Sequence, residues 1–82
     1  MTVRIRLTST EEAGTTHTAK GEELLWNVHF RIESDGERKF QIHLDFQIVG
    51  PAGAAQAKQA AYAELAKFLN EASIEAAKQG GA

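Results

Sequence analysis

The residues of this chain with the most chemistry to offer are His29, His43 and Asp45. Two imidazoles and one carboxylate form the donor set of a two-histidine, one-carboxylate metal site, provided the fold brings them to one ion. All three have odd numbers inside VHFRIESDGERKFQIHLDFQI, residues 28–48. There every even-numbered residue outside the turn is apolar: Val28, Phe30, Ile32, Phe40, Ile42, Leu44, Phe46 and Ile48. A period of two is that of a strand with one buried face. It sets His29, Arg31, Gln41, His43, Asp45 and Gln47 on the opposite, solvated face, where no cavity excludes water and no outer ring of partners is in view. Two surface histidines is the plainer reading, and neither a metal nor any other cofactor is expected.

Catalysis finds less support. Ser9, Ser34 and Ser73 fall in predicted turns or in the predicted helix, none in a G-x-S-x-G elbow. Gly50-Pro51-Ala52-Gly53 ahead of Lys58 lacks the Gly-Lys-Ser/Thr core of a phosphate-binding loop. A single sheet layer under one helix leaves little room for a water-excluding pocket. The expectation is a protein without enzymatic activity.

The elements that must position these residues follow from the same periodicities. Val3, Ile5 and Leu7 alternate with Arg4, Arg6 and Thr8, which predicts a first strand over about 2–9. STEEAGTTHTAKGE, residues 9–22, has no period, so a long connection is expected there. Trp26, Val28, Phe30 and Ile32 predict a second strand over about 23–33, and a third spans about 38–49. To keep even opposite even, the turn at Asp35-Gly36 is read as a three-residue loop with Gly36 left-handed and a G1 bulge. That register sets His29 against His43, Asn27 against Asp45, Arg31 against Gln41 and Glu33 against Lys39.

Pro51 suits the first position of a helix, because its missing N–H would have lacked a partner there in any case. Strong helix formers then run over about 52–79, with Ala57, Ala61, Leu65, Phe68, Ala72 and Ala76 on one stripe and Tyr62 and Leu69 at its margin. Gly80-Gly81 supplies the stop. The fold class is α+β: a three-stranded antiparallel meander followed by one long helix on its apolar face (βββα), a single domain over 1–82. A helix of that length, about 42 Å, outruns strands of about 33 Å. Its last turns should overhang.

Eighty-two residues without cysteine cannot be stapled by disulfides, so stability must come from packing, shared with a partner if need be. The start MTVRIRLTST has no apolar core of a signal peptide, and no window approaches a membrane span, so a cytoplasmic location is expected. A formal charge of −2 is too small to imply a polyanion or polycation partner. The distribution is more telling. Residues 9–23 hold Glu11, Glu12, Glu22 and Glu23 against Lys20, whereas Arg4, Arg6 and Arg31 share the polar sheet face with Asp45.

Two resemblances bear on that face. AKQAAYAELAKFL, residues 57–69, resembles the Ala-Lys and Ala-Ala pattern in the final helix of double-stranded RNA-binding domains, which also follows three strands. The preceding helix of those domains is missing here, and GPAGAAQAK lacks their lysine cluster. In its order of elements the chain also resembles the integrase-type DNA readers, which lay a three-stranded sheet in the major groove. That resemblance implies that Arg4, Arg6, Asn27, Arg31, Gln41 and Gln47 could read base edges. Three or four cations partly offset by Asp45 are few for phosphate neutralisation.

The leading expectation is therefore a small protein-interaction module without enzymatic activity. Either the polar sheet face (Arg4, Arg6, Asn27, His29, Arg31, Gln41, His43, Asp45, Gln47) or the outer helix face docks a protein, a second copy included. Ala63, Ala66 and Ile74 are the expected dimer contacts, since a flat alanine surface with one larger apolar residue suits close helix packing. Compact acidic chains of this size are frequent among phage and bacterial accessory proteins, including inhibitors of host defence of the anti-CRISPR type. Nucleic-acid binding by the sheet is the alternative.

Overall fold

The computed structural model describes residues 2–36 and 39–81. Three antiparallel strands, β1 (Thr2–Thr18), β2 (Gly21–Asp35) and β3 (Phe40–Val49), form one sheet in the order β1-β2-β3, followed by α1 (Ala54–Gly81). The α+β meander with its C-terminal helix is thus the fold. No described helix is long and apolar enough to cross a membrane.

Residues 9–22 correct the sequence reading. They are the second half of a 17-residue strand, a two-residue turn at Ala19-Lys20 and the first two residues of β2, not a long connection. The alternation is illegible there because the pairing with β2 slips twice, between Leu7 and Ser9 and again between Glu12 and Thr15. Each β-bulge leaves an unmatched residue and exchanges the faces of everything beyond it. So Val3, Ile5 and Leu7 lie opposite Ser34, Ile32 and Phe30, but past the first bulge it is Thr10 and Glu12 that lie opposite Val28 and Trp26. Gly14, in the second bulge, has φ +96°, a conformation that side-chain-bearing residues rarely adopt. Thr18 closes the hairpin. Its Oγ1 accepts from the Lys20 N–H at 3.1 Å and donates to Glu23 Oε2 at 2.8 Å.

The register of β2 with β3 is a second correction. Even still opposes even, but His29 lies opposite Asp45, Arg31 opposite His43, Asn27 opposite Gln47 and Glu33 opposite Gln41. The last pair of the ladder is Ser34 with Phe40, so five residues separate the paired ends in sequence where three had been expected. The bulged turn proposed over Asp35, Gly36 and Glu37 lies partly outside the described residues; Gly36 itself has φ +145°.

The helix begins at Ala54, so Pro51 stands ahead of it rather than in its first turn. Pro51 serves the junction differently: its carbonyl accepts the Trp26 Nε1–H at 2.9 Å, while the Gly50 N–H donates to the Leu24 carbonyl at 3.0 Å. The core is Trp26, Val28, Phe30, Ile32 and Ile48 under Ala57, Ala61 and Leu65. Phe30 stacks on Phe46 (centroids 5.7 Å apart) and takes the edge of Tyr62 at 5.2 Å.

Phe68 is not part of that core. It shares the stripe of Ala57, Ala61 and Leu65, yet is 52% exposed at the β3 margin, and every described residue from Asn70 onward is exposed. The expected overhang does not follow from length, because β1 and β2, at 17 and 15 residues, are longer than the helix and only β3, at 10 residues, is shorter.

Candidate functional site

Three surfaces are candidates. The first is the polar sheet face. Read across the strands, its rows are Arg4-Glu33-Gln41, Arg6-Arg31-His43, Ser9-His29-Asp45 and Glu11-Asn27-Gln47. Half of these groups are turned toward one another. Nδ1 of His29 lies 2.5 Å from Asp45 Oδ1, and Gln47 Nε2 donates to Asn27 Oδ1 at 2.9 Å. Arg31 Nε lies 2.6 Å from Glu33 Oε1, off the N–H axis, so the contact is an ion pair rather than a directed hydrogen bond. Arg4 reaches Asp35 at 4.0 Å. Arg6, directly opposite Arg31, has no ion pair among the described residues.

The histidines are therefore not a facing pair. His43 lies opposite Arg31, and His29 opposite Asp45. Among the described residues no three His, Asp or Glu side chains gather as a metal cluster. The sequence reading missed a different juxtaposition: Ser9 and Ser34 are in strands, not turns, and Ser9, His29 and Asp45 form one row in that order. Those are the residue types of a nucleophile, its base and the orienting acid. No hydrogen bond joins Ser9 to the ring, however, and the carboxylate is 69% exposed on an open face. Nucleophilic catalysis needs the first contact and an enclosed oxyanion site.

The second surface is the outer face of α1, where Ala63, Ala66 and Ile74 are all exposed. Only Ile74 there offers substantial apolar area.

The third surface is apolar and was expected to be core. Along β3, Phe40 (54% exposed) and Ile42 (44%) stand uncovered, and on the helix Phe68 is half exposed. Leu44, Phe46, Glu64 and Phe68 line an open groove between β3 and α1. At the hairpin end, Val3 and Ile5 extend this apolar area beneath Leu69. β3 is also an edge strand, so along its outer side a row of backbone N–H and C=O groups has no strand partner. No family model matches the chain, and no curated protein or solved structure does either.

Proposed function

We propose that this chain is a protein-interaction module without enzymatic activity, and that it docks a protein partner along the β3 side of its sheet. One observation carries the reading: a bare strand edge runs beside Phe40, Ile42 and Phe68, large apolar side chains each left about half exposed. Burying apolar surface is the main driving force of association, and an open edge adds backbone hydrogen bonds to it. A contiguous apolar area next to such an edge is the usual mark of a contact surface.

The polar face supports the nucleic-acid alternative less well. Of Arg4, Arg6 and Arg31, two already stand beside carboxylates, and Asn27 and Gln47 use their amides on each other. Phosphate binding would have to break those pairs for few released counterions.

The test is a capture experiment with two baits, the native chain and a Phe40→Lys/Phe68→Lys variant shown by circular dichroism to be folded. The expected result is a protein retained by the native bait at high salt and lost with the variant. Retention of nucleic acid that collapses as salt rises, and that ignores both substitutions, would replace this reading with the polar-face one.

A further inference from the structure

We infer that the partner is a second copy of this chain, joined β3 to β3 about a two-fold axis at Leu44, so that two three-stranded sheets become one of six strands with both helices on one face. The inference rests on the β3 side being the docking surface, and it follows from four features.

The two edges of the sheet are unlike. β1 is interrupted by two bulges and carries Glu11 and Glu12 on its second half, devices that discourage pairing with a further strand. β3 has no bulge, and Phe40–Val49 holds neither proline nor lysine nor arginine. It is a regular strand with one side vacant.

Among axes at the middle of β3, charge and face then favour one alignment. An axis between two residues would set the apolar face of one copy beside the polar face of the other. An axis at Asp45 would oppose two carboxylates, and one at His43 would oppose two imidazoles. With the axis at Leu44, His43 of each copy lies against the partner's Asp45, and Gln41 lies against the partner's Gln47. The row Arg6-Arg31-His43, rich in positive charge, thereby continues into the partner's Asp45.

The helices fit the same axis. The middle of α1 falls at Lys67-Phe68 and the middle of β3 at Leu44-Asp45, and Phe68 and Leu44 line one groove. A two-fold axis there lays the helices antiparallel, three strand spacings or about 14 Å apart. Directly packed helices lie about 8–10 Å apart. The slot that remains accommodates the two Phe68 rings. The exposed last turns of each helix then run beside the start of the partner's helix, on the side where the partner's β1-β2 hairpin outreaches its β3.

The chain as a whole exposes more surface than a compact monomer does. The chain exposes 6093 Å², whereas a compact monomer of 8.9 kDa exposes about 4,800 Å². The excess of about 1,300 Å² exceeds the roughly 800 Å² that each partner gives up in a standard interface. The radius of gyration, 15.2 Å, is likewise above the about 12 Å of a compact chain this long.

The experiment uses the purified full chain. Light scattering at tens of micromolar should give twice the chain mass. His43→Asp places a carboxylate against the chain's own Arg31, which favours the fold, and against the partner's Asp45, which opposes the dimer. The dissociation constant should rise about tenfold or more. Because the chain has no cysteine, Leu44→Cys should oxidise to a covalent dimer, since directly opposed residues lie about 4.5–5.5 Å apart. Gln41→Cys, about 20 Å from its own copy by strand rise, should not. A monomer would overturn the proposal. So would a dimer indifferent to His43→Asp and Leu44→Cys but broken by Ile74→Glu, which would place the contact on the outer helix face with Ala63 and Ala66. A monomer that still captures a different protein through Phe40 and Phe68 overturns the second copy while leaving the interaction reading intact.

Discussion

His29 and Asp45 face each other across β2 and β3, with Nδ1 2.5 Å from Oδ1 and the carboxylate 69% exposed. Such a pair gains little from Coulomb attraction, because water screens it and both side chains must be ordered to make it. A double-mutant cycle with His29→Ala and Asp45→Ala should return a coupling below about 1 kcal/mol, measured by urea unfolding. Cross-strand nuclear Overhauser contacts between Asn27 and Gln47, and between Arg31 and His43, check the register independently.

Phe30 and Phe68 should separate sharply under the same substitution. Phe30 is 1% exposed and touches both Phe46 and Tyr62, so Phe30→Ala should cost about 3–5 kcal/mol. Phe68→Ala should cost less than about 1 kcal/mol in chain dilute enough to be monomeric, because half of the ring is already in water. Its larger effect should appear in the concentration dependence of the melting temperature.

Trp26 tests the strand-helix junction. Trp26→Phe keeps most of the buried ring but removes the Nε1–H that satisfies the Pro51 carbonyl. A loss of about 1–2 kcal/mol in thermal or urea unfolding is expected.

The bulge at Gly14 predicts opposite signs for one chemical change. A Cβ at Gly14 meets nothing within 4 Å, so Gly14→Ala should destabilise through its φ of +96° alone, by about 1–2 kcal/mol. Gly80→Ala, in the last turn of α1 and equally uncrowded, should be neutral or slightly stabilising. Equal effects at the two sites would remove the backbone argument.

The strong periodicities made much of this fold legible in advance. Alternation over residues 28–48 reveals two strands and which of their faces is buried, because a slip of one residue would expose Phe30. It cannot separate registers that differ by a whole period, since both bury the same set. Loop length makes that choice, and the metal geometry once suggested by His29 and His43 dissolves with it. Thr10 and Glu12 hid the second half of β1, because bulges move polar residues onto the apolar face without any compositional mark. Phe68 misled for another reason. Its stripe on the helix is correct, but a stripe reports only direction, and at that turn the groove beside β3 is open.

The unlikeness of the two sheet edges has a consequence for growth. A strand that could be extended on both sides would seed a polymer, one copy recruiting the next without end. Here one side is regular and the other is broken twice by bulges, at Thr8 and at Ala13-Gly14. Under the proposed pairing the chain would have a valence of one. With β3 joined to its copy, only bulged β1 strands would remain at the rims, and stoichiometry would close at two. A deletion that straightens β1 should therefore convert a bounded assembly into a fibre-forming one.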